Sequence, residues 1–175
     1  MHSFKATPLS RPDIRLLALK LRQELGLVND LRFPILEFVE QVLPMMDKDY
    51  CFQVLEEDEL GSSHGLTERD GNMTTIKIRS DVYDRAYDGE GRDRGTVAHE
   101  SGHYLMHAKS PTLHRHFGGT LKSFEDPEWQ AKCFQGELLV PKHLAEGKSV
   151  AEIVRRCGVS SIAAEYQLKL YRDGK

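Results

Sequence analysis

Three histidines and a glutamate stand close together in residues 95–108, GTVAHESGHYLMHA. On an α-helix, residues four apart lie on nearly the same face, so His99 and His103 can present two imidazoles to one metal ion. Glu100 lies beside this pair, where a carboxylate can take a proton from water bound to the same ion. The spacing therefore predicts a catalytic metal site of the HExxH type, with zinc as the ion.

A catalytic zinc ion has three protein ligands, so the third must come from elsewhere in the chain. His107 continues the helical face but lies about 6 Å beyond His103 along the axis, too far to share their ion. We expect it to support a ligand, to contact substrate or to be a packed core histidine. A metzincin is excluded because the residue six positions after His103 is Lys109. A glutamate from a following helix is the other standard solution, and residues 125–141, EDPEWQAKCFQGELLVP, offer one.

The elements that must position these residues follow from capping residues, apolar periodicity and prolines. The small and apolar residues between the histidines favour a packed helix with one polar face over a chance match of the motif. The expected helices run from Ser10 to Gly26, from Pro34 to Pro44, from a Thr96 cap after a polar loop (87–95) to just before Pro111, from near Pro127 to Pro141, and over 149–171 as two short helices around "GVS".

Two segments are rich in β-branched and aromatic residues, 50–56 (YCFQVLE) and 73–79 (MTTIKIR). The residues between them are rich in Gly, Ser and Asp, with a turn signal at Asp70-Gly71. We expect two strands of a small sheet, and the second strand could offer an edge to an extended peptide. The fold class is therefore α+β, in one domain over residues 1–175 with 142–175 as a C-terminal helical segment.

Composition narrows the function further. The 175 residues carry a formal net charge of -3, with charges of both signs interspersed, so a nucleic-acid-binding stripe is not expected. The three cysteines are far apart, which favours neither disulfides nor a thiolate zinc site and suits a reducing cytosol. Charged residues interrupt the apolar N-terminal stretch, so we expect no membrane span and a cytoplasmic location.

Two segments, GRDRGTVAHESGHYLMH and DPEWQAKCFQGELLVP, resemble the paired motifs RxTxAHExGH and ExxANxFAxxLLMP of the ImmA/IrrE family of metallo-endopeptidases. Weaker likeness extends over nearly the whole chain. The resemblance implies a zincin-like fold, zinc bound by His99, His103 and Glu128, and Glu100 as general base. Glu125 and Asp126 remain alternatives for the third ligand.

The sequence departs from the family pattern at two positions. Lys132 stands where the family has Asn or Asp, which could accept a hydrogen bond from a metal-binding imidazole. Lysine cannot accept one, so a different group must support the ligand here. Gln135 stands where alanine is usual.

The expected reaction is amide hydrolysis, in which Glu100 takes a proton from the attacking water and passes it to the leaving amine. The resemblance implies a protein substrate, since proteins similar to this one cleave helix-turn-helix repressors or antitoxin-like regulators. The sequence leaves the oligomeric state and the oxyanion donor open. Candidates for that donor are Tyr83, Tyr104, His107, His114 and His116.

The alternative is a non-enzymatic zinc-binding regulator whose C-terminal segment is a helix-turn-helix. Residues 150–171 have the required helix, glycine turn and helix. Their second helix has Lys169 and Arg172 only near its end and Glu165 in its middle, so few side chains could face phosphates. We therefore expect helices that close the catalytic domain and no direct binding of nucleic acid.

Overall fold

An α+β fold, as predicted, is seen in the computed structural model, which describes residues 3–108, 114–116 and 122–175. The strands are β1 (Ser3–Lys5), β2 (Tyr50–Leu55), β3 (Gly65–Asp70), β4 (Met73–Arg79) and β5 (His114–His116). The α-helices are α1 (Arg11–Glu24), α2 (Ile35–Glu37), α3 (Leu43–Met46), α4 (Glu57–Leu60), α5 (Ser80–Tyr87), α6 (Gly91–His107), α7 (Pro127–Leu139), α8 (Lys142–Ala145), α9 (Val150–Ile153) and α10 (Ser161–Arg172). Shorter turns are π-helical at Phe38–Val42 and Val154–Gly158 and 3-10 at Ser123–Glu125.

The larger sheet has the strand order β2-β4-β3, with β2 parallel and β3 antiparallel to β4. Both predicted strands are confirmed, but β3 was missed. Asp70 pairs with Met73, so Gly71 and Asn72 form a two-residue turn in which Gly71 has a φ of 59°. The expectation that residues 73–79 form a free edge is wrong because β4 is central, with a strand on either side.

A second, two-stranded sheet pairs β1 with β5 in antiparallel register, Ser3 opposite His116. The sequence suggested a loop at His114 and His116, and this is corrected to a short strand. The pairing is non-local, so periodicity along a three-residue segment could not indicate it.

Helix α1 begins as predicted, because Ser10 and Asp13 form a capping box. Near the end of α1, the fully buried Arg22 donates hydrogen bonds from its guanidinium group to four backbone carbonyls. Burial lowers the pKa of Arg22 to about 10, so the side chain remains charged at neutral pH. One of these bonds joins α1 to the C-terminal end of α7, and Glu128 lies in the first turn of the same helix. The accepting carbonyls are those of Leu27, Asp30, Leu31 and Leu138.

The predicted helix end at Pro44 is wrong, because helical backbone continues through α3 to Met46. A π-turn precedes the proline, in which the amide of Leu43 donates to the carbonyl of Phe38. In that register residue 44 would donate to Val39, and proline has no N–H. The Val39 carbonyl instead accepts from the Tyr50 hydroxyl at 2.8 Å, so the missing donor is replaced.

Helix α6 begins at Gly91, so the predicted polar loop is partly helical and Thr96 is inside the helix rather than its cap. The glycines there are explained by close packing. A Cβ on Gly91 would lie 2.2 Å from the backbone carbon of Val159, and a Cβ on Gly95 would lie 2.5 Å from Nε2 of Gln135. The glycines that made this segment look like a loop are therefore explained by the close approach of neighbouring elements to a helix.

Helices α6 and α7 pack directly on each other, which brings the motif helix to the start of α7. At Gly102 a Cβ would lie 3.2 Å from Cα of Ala131, so the absence of a side chain permits the close approach. Val97 and Phe134 are fully buried on these two helices within one hydrophobic cluster. The predicted bounds of α7 are confirmed within two residues.

The C-terminal segment forms two helical pieces around Gly158, as predicted, preceded by the short α8. Its buried apolar side chains belong to the same hydrophobic cluster as residues of α1 and α6. Tyr171 donates to the Val140 carbonyl at 2.6 Å, which fastens the end of α10 to the residue after α7. Ile162 on α10, in contrast, is 79% exposed. We propose that residues 1–175 form one folding unit that includes this segment.

Ile153→Ala tests this proposal. Ile153 is fully buried, so we expect truncation to lower the free energy of unfolding by about 2–5 kcal/mol through lost burial and a residual cavity. Urea denaturation followed by circular dichroism measures the change. The matched control is Ile162→Ala, which should change it by less than about 0.5 kcal/mol. Equal unfolding midpoints for the two variants would contradict a common core.

Candidate metal centre

The three predicted metal ligands converge between α6 and α7. Nε2 of His103 lies 3.1 Å from Nε2 of His99 and 3.3 Å from Oε1 of Glu128. Nε2 of His99 lies 3.3 Å from Oε2 of Glu128. His99 and His103 face the same side because they are four residues apart on α6, and Glu128 reaches them from the first turn of α7.

The geometry of this group fits a zinc ion. A tetrahedron with metal–ligand bonds of about 2.0–2.1 Å has edges of about 3.3 Å. The two imidazole nitrogens lie 3.1 Å apart, and each has one oxygen of the Glu128 carboxylate, Oε1 for His103 and Oε2 for His99, at 3.3 Å. Two imidazole nitrogens and one carboxylate oxygen are a donor set of catalytic zinc sites, which keep one further position for water or substrate. Among the described residues, His99, His103 and Glu128 are also a group whose ligand atoms all lie within 4.8 Å of one another.

The start of α7 selects Glu128 among the neighbouring acidic residues. Asp126 is the N-cap and accepts from the backbone N–H of Glu128 at 3.0 Å, and Glu125 pairs with Lys5 at 2.8 Å. Both alternatives to Glu128 are thus engaged elsewhere. The neighbouring imidazoles of His103 and His99 hold the pKa of Glu128 well below its usual range, so its carboxylate is charged at neutral pH.

Glu100 is buried beside the three converging side chains, at 7% exposure. The Thr67 hydroxyl donates to its Oε2 at 2.8 Å, and a Cβ on Gly65 would lie 2.9 Å from its Cγ. Strand β3 therefore packs against the carboxylate and limits its orientation. Sequence reasoning missed Thr67 and Gly65, although a strand following a Gly-Asn turn signals a hairpin partner before the turn.

A cleft of about 460 Å³ contains the site. Helices α6 and α7 contribute His99, Glu100, His103 and Glu128, and residues 65–69 of β3 line the cleft as well. Strand β3 pairs with β4 on one side only among the described strands, so its other side is an edge next to the cleft. Such an edge can pair with an extended peptide.

His107 is in contact with a predicted ligand. Its Nδ1 lies 3.2 Å from Nδ1 of His103, and its Nε2 lies 2.8 Å from Oε1 of Gln130. Burial lowers the pKa of His107, so the neutral imidazole is favoured. Of the three roles expected from the sequence, the contacts favour support of a ligand, and they reveal Gln130 as a further residue that sequence reasoning missed.

The two tyrosines among the candidates for an oxyanion donor have partners outside the cleft. The Tyr104 hydroxyl donates to Asp47 at 2.6 Å, and a hydrogen bond with Glu40 raises the pKa of Tyr83 to about 12. Neither tyrosine lines the cleft. The side chains of His114 and His116 lie outside the described part of the chain.

The two departures from the family pattern have different surroundings. Lys132 is exposed on α7 and reaches solvent. Gln135 fills the space above Gly95, where any Cβ would collide with its amide. The longer side chain at position 135 is thus matched by the absence of one at position 95.

Comparison with known families agrees with this geometry. The model of the Peptidase_M78 family, described as an IrrE N-terminal-like domain, matches residues 63–169, more than half of the chain. The match includes β3, α6 and α7, which together carry the whole site. A comparison with curated proteins gives no significant match. Within the described residues, no helix has the length and apolar character needed to cross a membrane.

Proposed function

Because the chain belongs to the Peptidase_M78 family, as its motifs suggested, we propose that it is a zinc-dependent endopeptidase. Membership in the family supports a metal-dependent protease acting on a protein substrate. The observation that carries the finer proposal is the convergence of His99, His103 and Glu128 in the cleft that also holds Glu100. In this proposal the first three bind zinc and Glu100 is the general base.

The chemistry divides between the ion and the protein. Zinc, when bound, supplies an activated water and polarises a carbonyl oxygen. His99, His103 and Glu128 line the cleft and would hold the ion with two imidazole nitrogens and one carboxylate. A peptide amide is uncharged and unreactive, so its hydrolysis needs both an activated nucleophile and proton transfer to the leaving nitrogen.

Glu100 performs both proton transfers in this proposal. Its carboxylate accepts the proton of the attacking water and then delivers that proton to the amine as the peptide bond breaks. The Thr67 hydroxyl, bonded to Oε2, keeps one carboxylate oxygen occupied and leaves Oε1 for the transfer. Burial between β3 and α6 excludes bulk water from the base.

The substrate is proposed to bind as an extended strand along β3. The edge of β3 offers backbone groups for pairing, and residues 65–69 line the cleft beside Glu100. Leu66 is 41% exposed on this strand and can contact an apolar side chain of the peptide. A peptide bound in this way would pass its backbone over the carboxylate of Glu100.

The proposed substrate is a transcriptional regulator, a helix-turn-helix repressor or an antitoxin-like protein. This part rests only on the resemblance to ImmA/IrrE proteins. Cleavage of such a regulator requires a segment that is extended or locally unfolded, because a folded helix cannot pair with the edge of β3.

Cleavage of a candidate helix-turn-helix regulator tests the proposal. We expect the purified, zinc-loaded protein to cut that regulator at one or a few positions, identified by mass spectrometry of the fragments. Chelation should abolish cleavage and added zinc should restore it, because the ion is needed to activate water. Cleavage that is unaffected by chelation would contradict a metal-dependent mechanism, and an unrelated folded protein serves as the control substrate.

A further inference from the structure

A chain of buried hydrogen bonds ends at His103 from the side opposite to the proposed zinc. It runs from two backbone carbonyls through Gln130 and His107 to Nδ1 of His103. Gln130 is fully buried, and His107 is 7% exposed. Polar groups this deeply buried require partners, so each contact constrains which atom carries a hydrogen.

The two carbonyls fix the orientation of the Gln130 amide. Nε2 of Gln130 lies 2.8 Å from the carbonyl oxygens of both Thr7 and Phe124. Carbonyls only accept, so the NH₂ group must face them and Oε1 must face His107. The flipped amide would place its oxygen against two other oxygens and leave buried acceptors without donors.

The orientation of Gln130 in turn fixes the tautomer of His107. Oε1 of Gln130 accepts, so Nε2 of His107, at 2.8 Å, must carry the hydrogen. A neutral imidazole has one donor and one acceptor nitrogen, which leaves Nδ1 of His107 as an acceptor. Nδ1 of His103 lies 3.2 Å from it and must therefore be the donor.

We propose that His107 and Gln130 are positioning residues that hold His103 as the Nδ1–H tautomer, with the lone pair of Nε2 directed at the metal site. This nitrogen is the one that lies 3.1 Å from Nε2 of His99 and 3.3 Å from Oε1 of Glu128. The assignment rests on the proposed function for the identity of the site. A residue on α6 thus supplies the acceptor that the family pattern places at position 132, where Lys132 is exposed.

The tautomers can be observed without metal in the wild-type protein. Long-range nitrogen–proton correlation spectra of ¹⁵N-histidine-labelled, metal-free protein are recorded above the ordinary titration range of histidine. We expect the Nδ1–H form for His103 and the Nε2–H form for His107. A predominant Nε2–H form for His103 would overturn the proposal.

Variants of His107 test the consequence for metal affinity. In His107→Phe the acceptor is lost, and we expect the Kd for zinc, measured by competition with a chelator, to rise about 10- to 100-fold. In His107→Asn the side-chain oxygen stands near the place of Nδ1 and should recover part of the loss. Lys132→Ala is the matched control on α7 and should leave the Kd within about twofold.

A zinc Kd for His107→Phe within about twofold of the wild type would overturn the positioning role. Failure of the wild-type protein to bind zinc would contradict the proposed function instead, and the metal-free spectra would still decide the tautomer. If His107→Phe does not fold, the spectra of the metal-free wild-type protein and the zinc Kd of His107→Asn test the proposal instead. An Nε2–H form of His103 in those spectra again overturns it.

Discussion

Replacement of Glu100 by glutamine is expected to reduce cleavage of the regulator by about 10²–10⁴-fold or more. Glu100 would serve both proton transfers, so its loss should fall near the upper end of that range. The amide has the same shape as the carboxylate, and its oxygen can still accept from the Thr67 hydroxyl. Because Glu100 is not a proposed ligand, Glu100→Gln should retain the fold and the zinc.

Cleavage rate and zinc content are measured on the same preparation of Glu100→Gln, so that loss of metal is not mistaken for loss of the base. Glu165→Gln, an exposed change of the same kind on α10, is the control and should cleave normally. Near-normal cleavage by zinc-loaded Glu100→Gln would refute the mechanism. Absence of cleavage by the wild type against every plausible regulator would favour the zinc-binding regulator without peptidase activity.

Removal of both imidazoles in His99→Ala/His103→Ala is expected to abolish stoichiometric zinc binding. The proposed site would keep only Glu128, whose side chain is 71% exposed, and one carboxylate cannot replace a three-ligand zinc site. Elemental analysis after dialysis should give one zinc per chain for the wild type and almost none for the double variant.

His143→Ala is the control for the double variant, since His143 lies on α8 and contacts the Val28 carbonyl outside the cleft. It should retain one zinc per chain. Full retention of stoichiometric zinc by His99→Ala/His103→Ala would contradict the ligand assignment. Circular dichroism of both proteins separates loss of metal from loss of fold.

Local sequence patterns determined the elements that carry the chemistry. The four-residue spacing of His99 and His103 fixes their common face on any α-helix, and the prolines and caps bound α1 and α7 within a few residues. Local patterns failed where distant elements impose the conformation. The glycines of residues 91–95 predict a loop, yet these residues are helical, and they pack where Val159 and Gln135 leave no free space for a side chain.

The sequence by itself thus determined the fold class, the motif helix and two imidazoles with their neighbouring carboxylate. Only the tertiary structure decided that Glu128, rather than Glu125 or Asp126, reaches those imidazoles, because capping and a salt bridge engage the other two. It also placed β3 against Glu100 and linked Gln130 to His103 through His107. These contacts join residues from different elements, and their distances depend on how α6, α7 and the sheet pack, which no periodicity along the chain specifies.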